Sequence, residues 1–597
     1  MQPIKIKSRK ARIITITTMG AALILAACGG SDKNALVPQA LISTPQGPVQ
    51  GVSTETDGIY NFKGLPFAAP PIGELRWAAP KDAPRWNETR IADKFGNRCM
   101  QPESIFGSGF LDRLIEGHGL GAFKNFIIKR YNASQKPIPM SEDCLYLNVR
   151  TGNLGGATQQ PVMVWIHGGG HSVGSGGLSY YQANGLVKKD VVLVTINYRL
   201  GAFGYMSHPA LSAADPNGVS GNYGALDQIA ALNWVKDNIS AYGGDPDNVT
   251  IFGESAGAWS VTEMMATPLS KGLFHKAIAQ SGASTYHMIQ MDEATSPYDG
   301  QGWPSGYAQG IVAAKAVGLD NPSAADLRAV SAEKLIAVLK DKDYDALHHQ
   351  RDGYVFPKNV GLAFKDGDIN AVPFLTGYNA DEGSLFFTQD SQPTVWLEDT
   401  KPGSASEITA SLSQAFPSQA ANLVKLYGLD QDFMAGGSQM MGDEIFGINV
   451  AYAAKQVEAA GAPAYMYFFS RIPPSKKQTI GAFHSAEIPF VFDSTVKTLG
   501  LTDDDTALTE HMVSYWTNFA KSANPNGSAG KETIPHWPQY GGENWMHFSG
   551  NTGRPAAKVE THIRADKRSA LDEGLQVKLE GLPKKGAQSS PSNSAND

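Results

Sequence analysis

The chain has 597 residues, 42% of them hydrophobic, and a formal net charge of −7. That is ample material for a large core, and so slight an acidic excess gives no reason to expect a nucleic-acid partner. Three cysteines are too few for a disulfide scaffold.

The N-terminus reads as a targeting segment over residues 1–27. Lys5, Lys7, Arg9, Lys10 and Arg12 form a basic region, and residues 13–27 form an apolar run too short for a stop-transfer helix. The run ends in Leu25-Ala26-Ala27-Cys28, which resembles a bacterial lipobox with Cys28 as the acylated first residue of the mature chain. Plain secretion is the competing reading. Residues 28–45 then read as a flexible tether. Anchored this way, the protein would belong to a bacterial cell envelope, with the membrane as partner only through its lipid.

Residues 46–565 read as the folded part. Residues 51–80 hold short strands broken by Pro and Gly, as in the antiparallel start of a mixed sheet. Export favours pairing of Cys99 with Cys144 over two separately buried thiols. The stretch between them, rich in Phe and Gly, reads as a binding loop. Residues 145–149 and 161–166 read as strands, the second with the continuous apolar character of a buried parallel strand. It runs into His167-Gly168-Gly169-Gly170, a loop able to turn backbone N–H groups toward a developing negative charge. No Gly-Lys-Ser/Thr follows, so this is not a phosphate cradle. Residues 191–197 make another buried strand, and residues 226–239 have helical spacing.

The chain is organised around Gly253-Glu254-Ser255-Ala256-Gly257. A β-branched strand at 249–252 precedes it and a helical run follows. Strand, G-x-S-x-G and helix together are the nucleophile elbow, which points to Ser255 as a nucleophile. Gly170-His171-Ser172-Val173-Gly174 fits the same pattern but has no strand before it and a polar loop after it. Ser172 is therefore read as an ordinary loop residue. Alternating buried strands and helices predict an α/β fold with a central, mostly parallel sheet. Helical insertions are expected around 285–370, starting a helix at the Ser323–Asp326 capping box, and around 400–470. Residues 566–597 read as a polar, disordered tail.

These motifs, with Ser141-Glu142-Asp143-Cys144 before them, resemble the type-B carboxylesterase/lipase family. Its members include carboxylesterases, cholinesterases and bacterial p-nitrobenzyl esterases of the α/β-hydrolase fold. The resemblance runs from about residue 51 to 548 and includes Gly243-Gly244-Asp245-Pro246 and Gln280-Ser281-Gly282. It implies a serine hydrolase acting on small-molecule esters, with no cofactor and no metal. It places the triad acid at Glu382, in Asp381-Glu382-Gly383, and the base at His484, ahead of an E-I-x-F-V-F strand. The implied oxyanion donors are Gly169, Gly170 and Ala256, and the implied disulfide is Cys99–Cys144. Ser281 would hydrogen-bond the acid, Asp381 would cap its own turn, and Glu254 and Glu487 would be buried, hydrogen-bonded carboxylates. Two departures stand out. His171 occupies a position that is aromatic in many members, which would alter the wall of the acyl site, and the long loop lacks the Trp with which cholinesterases hold a quaternary ammonium.

Overall fold

The computed structural model describes residues 39–580, apart from 57, 103–115, 120–137, 286–287, 293–304, 339–348, 388–401, 414, 473–477, 495–501, 528–533 and 551–554. The leader and Cys28, most of the Cys99–Cys144 loop, and residues 581–597 lie outside the described residues.

Among the described residues, thirteen strands form one sheet. They are β1 (Gln39–Thr44), β2 (Gly47–Ser53), β3 (Tyr60–Pro66), β4 (Arg90–Ile91), β5 (Tyr146–Thr151), β6 (Gln160–Ile166) and β7 (Val192–Ile196), followed by β8 (Gly244–Glu254), β9 (Lys276–Gln280), β10 (Phe374–Asn379), β11 (Ala464–Phe469), β12 (Asn544–Phe548) and β13 (Ala557–Thr561). Their order is β1-β2-β3-β5-β7-β6-β8-β9-β10-β11-β12-β13, with β4 beside β2. Neighbours from β7 to β12 run parallel, while β2/β3, β3/β5, β5/β7 and β12/β13 are antiparallel.

The core lies on both faces of this sheet. In β6, Val162, Val164 and Ile166 face one layer, and Met163 and Trp165 face the other. This is the period of two expected of a strand buried on both sides. The first layer is closed by helices α1 (Tyr223–Asn238) and α2 (Ala256–Ala266), through residues such as Leu232, Val261 and Met264. From the 400–470 insertion it also receives α3 (Phe433–Gly442) and α4 (Ile448–Ala459). The second layer is closed by α5 (Asp503–Ser522), through Met512, Trp516 and Phe519.

The chain leaves β6 to one side, forming β7, and returns on the other side as β8. The carboxyl ends of β6 and β8 therefore flank a topological switch point, where open α/β sheets place their ligands. His167-Gly168-Gly169-Gly170 follows β6 directly, and Ser255 follows β8 directly.

Three features differ from the sequence reading. Residues 39–45 are not a tether, because β1 begins at Gln39 and Ala40 is already buried. Residues 566–580 are not a disordered tail, because Ala565–Glu580 is a helix. Its Leu571, Leu575 and Leu579 recur every four residues and are buried, a stripe hidden by the polar residues between them. The E-I-x-F-V-F segment is a one-turn helix, Ile488–Phe492, not a strand. Pro489 sits in its first turn, where its missing N–H costs nothing. The Ser323–Asp326 capping box forms as expected and opens a short helix, Ala324–Arg328. Among the described residues, no helix is long and apolar enough to cross a membrane.

Candidate active site

β8 ends at Glu254 and α2 begins at Ala256. Between them Ser255 has φ 59° and ψ −126°, a conformation costly for any residue with a side chain. Such strain persists only where the surroundings over-determine it, and here Gly257 supplies the room. A Cβ on Gly257 would stand 2.1 Å from the carbonyl oxygen of Ile166, at the end of β6. Only glycine lets α2 start this close to the neighbouring strand.

The glycine loop lies against the same corner. A Cβ on Gly168 would come within 3.1 Å of Ser255 Cβ. Gly169 and Gly170 have φ 108° and 61°, in the left-handed region that glycine adopts freely. Ser172 sits within the turn of this loop, its hydroxyl donating to Gly170 O at 3.1 Å. His167 is buried, stacked on Tyr198 with ring centroids 4.5 Å apart, and its Nδ1 is 2.8 Å from Gly168 O. Burial pushes its pKa down to about 4, against a smaller opposing effect of the Gly168 carbonyl. A neutral ring shaping the loop fits this setting.

Glu382 follows β10, and His484 lies on the connection after β11. Glu382 Oε2 is 2.6 Å from His484 Nδ1, and Glu382 Oε1 accepts the Asn379 amide at 2.6 Å. Ser255, Glu382 and His484 thus all stand beyond carboxyl ends of the sheet. Asp381 does something different from the expected local cap. Its Oδ2 accepts the Ala482 amide at 2.7 Å, and its backbone bridges to Phe483. The side chain ties the loop carrying His484 to β10. The expected bond from Ser281 to the acid is absent among the described residues. Ser281 has φ 51°, its amide donates to Gly377 O at 2.8 Å, and its hydroxyl does not reach Glu382.

A second layer of carboxylates backs the imidazole. Glu254 Oε1 lies 3.2 Å from His484 Nε2 and accepts the Ser485 hydroxyl at 2.5 Å. Among the described residues no hydrogen bond joins His484 to Ser255 Oγ. Glu487 is fully buried and accepts from Gln280 Nε2 at 3.0 Å and Asn379 Nδ2 at 2.7 Å. Burial raises the Glu254 pKa to about 8, helped by Glu487 and Glu382 and opposed by His484 and Ser485. Burial also raises Glu487. For His484 burial acts downward, but Glu254, Glu382 and Glu487 outweigh it and raise the pKa to about 9. The three carboxylates thus favour the charged imidazole.

Several contributors were missed in the sequence. Asn379 bridges Glu382 and Glu487, Ser485 bonds Glu254, and Phe446 packs on His484 with ring centroids 4.7 Å apart. Phe446 belongs to a π-helical turn between α3 and α4, a local irregularity that no residue pattern announced. His171 is also not where the sequence reading put it. It is 1% exposed and turned away into the protein, against Ser260 and His349.

Residues 38–568 match the model of the carboxylesterase family. The chain belongs to the carboxylesterase family.

This carboxylesterase is 32% identical over 545 residues to fumonisin B1 esterase of Sphingopyxis macrogoltabida, covering 89% of this chain and 90% of that one. It is 34% identical over 519 residues to para-nitrobenzyl esterase of Bacillus subtilis (strain 168), covering 84% and 92%. Among solved structures, a PNB esterase superposes with TM-score 0.69 at 29% identity, covering 89% of this chain and all of that chain. A carboxylesterase of Geobacillus stearothermophilus gives TM-score 0.70 at 29% identity, covering 89% and 99%. The fold is the α/β-hydrolase fold, and the enzyme is a carboxylic ester hydrolase.

Proposed function

We propose that ester hydrolysis runs through Ser255, His484 and Glu382 and an acyl-enzyme intermediate. The carrying observation is the 2.6 Å contact of Glu382 with His484 Nδ1, on the loop that brings Nε2 toward the Ser255 corner. Glu382 holds the tautomer that leaves Nε2 as the base. Once Nε2 has given up its own proton to solvent, the neutral His484 turns from Glu254 and takes the Ser255 proton as Oγ attacks the ester carbonyl. Catalytic hydrogen bonds of this kind often tighten only with substrate present. The oxyanion rests on the amides of Gly169, Gly170 and Ala256. His484 returns its proton to the leaving alcohol, and a water activated the same way releases the acid.

Fumonisin B1 esterase and para-nitrobenzyl esterase are named for unlike substrates, so the substrate class here is taken as carboxylic esters, bulky natural esters included. A panel of p-nitrophenyl esters of graded acyl length tests the reading. A burst of p-nitrophenol of about one equivalent, before steady turnover, is expected of an acyl-enzyme. Substrates that turn over with no burst, even when deacylation is slowed with a hindered acyl group, would count against it.

The Leu25-Ala26-Ala27-Cys28 stretch supports a lipid-anchored envelope enzyme. Cys28→Ser should move mature enzyme from membranes to the soluble fraction or block its maturation. Mature variant still pelleting with membranes would rule out lipid attachment at Cys28.

A further inference from the structure

Behind the proposed nucleophile lies a second buried cluster that the ester chemistry does not use. His171, Glu263 and His349 are 1%, 2% and 6% exposed. Each offers a ligand atom, and these atoms all lie within 4.8 Å of one another. Glu263 Oε2 is 3.0 Å from His349 Nε2, while Glu263 Oε1 accepts the Ser284 hydroxyl at 3.1 Å. The His171 and His349 rings meet edge to face, with centroids 4.4 Å apart. His171 Nε2 is 3.0 Å from Ser260 Oγ, itself a partner of Gln228 Nε2. Tyr205 and Phe356 close the cluster with aromatic surface.

We propose that His171, Glu263 and His349 form a binding site for a zinc-type divalent cation. The donor set of two imidazoles and one carboxylate suits zinc, whereas calcium and magnesium select oxygen ligands. Tetrahedral zinc with bonds of about 2.0–2.1 Å needs ligand atoms roughly 3.3 Å apart, so small side-chain rotations close the observed spread. The Ser284 hydroxyl on the second Glu263 oxygen is the kind of outer bond that orients a ligating carboxylate.

The placement gives the ion a structural consequence. His171 follows Gly170 directly, and Glu263 lies on α2, whose first residue is Ala256. One ion would clamp the glycine loop to the helix that begins at the elbow.

The test is the full mature enzyme produced with zinc in the medium, purified in metal-free buffer and measured by elemental mass spectrometry. About one zinc per chain is expected, with a proportional loss in Glu263→Gln and in His349→Gln. Replacement by cobalt should give the visible absorption of a tetrahedral site in the wild type. Wild-type enzyme that folds with zinc present yet retains none, and shows no cobalt bands, overturns the proposal. So do folded variants that keep the full metal content. Because the readout is metal and not turnover, its failure leaves the esterase assignment untouched.

Discussion

Glu254 Oε1 lies 3.2 Å from His484 Nε2, on the ring nitrogen opposite the one Glu382 Oε2 meets at 2.6 Å. The imidazole thus stands between two buried carboxylates, the second on the nitrogen proposed to take the Ser255 proton. An imidazolium held this way is a poor base until its Nε2 proton leaves. Activity should therefore rise as pH climbs through the raised His484 pKa. Glu254→Gln removes a charge that favours the imidazolium, so the His484 pKa falls and the neutral base persists to lower pH. The acid limb of kcat/KM should move down by about one unit or more. A limb that stays in place, or moves up, would contradict this electrostatic account.

Asp381 and Glu382 are adjacent, but their carboxylates have separate tasks. Glu382→Gln should keep the shape yet favour the wrong tautomer, lowering kcat by up to about 10⁴-fold with KM little changed. Asp381→Asn weakens the bond to the Ala482 amide and should cost about 1–2 kcal/mol of stability, with far less effect on rate. Urea unfolding and turnover of a short-chain ester, measured side by side, separate the two. An inactive Asp381→Asn beside an active Glu382→Gln would reverse the assignment.

Much of this site was legible because its residues carry distinctive local chemistry. The β-branched run before Gly253 and the two glycines around Ser255 specify the elbow without reference to distant parts of the chain. The period-two burial of β6 likewise follows from its own apolar run. Other features depend on which segments meet. Asp381 was read as a local cap because sequence shows only its neighbours, whereas its partner Ala482 lies about a hundred positions on. His171 looked like a wall of the substrate site because it follows the glycines, but its positive φ of 54° turns it inward. The helix at Ala565–Glu580 was hidden by polar composition, since only a sparse apolar stripe including Ala570, Leu571, Leu575 and Leu579 meets the core.

The elbow depends on the absence of a side chain at Gly257. Gly257→Ala would drive a methyl into the Ile166 carbonyl, a backbone atom that cannot move without shifting β6. Overpacking costs about 1–3 kcal/mol even where side chains yield, and more is expected here. The folded variant, if recovered, should have a lower denaturant midpoint and little activity. Wild-type stability and turnover together would show that the close approach is unimportant.

Cys99 and Cys144 are joined by a disulfide that closes a separation of 45 residues. In the chain-entropy model such a loop stabilises by about 4 kcal/mol. Reductant should lower the unfolding midpoint of the wild type and leave a Cys99→Ser/Cys144→Ser double variant unchanged. Equal midpoints for wild type with and without reductant would show that the crosslink adds nothing.

The central claim is that Ser255 is the nucleophile. A fluorophosphonate reacts covalently with an activated serine, and peptide mass spectrometry locates the adduct. One adduct is expected, on the peptide containing Ser255, lost in Ser255→Ala and retained in Ser172→Ala. An adduct on Ser172, or full labelling of the Ser255→Ala enzyme, would contradict it.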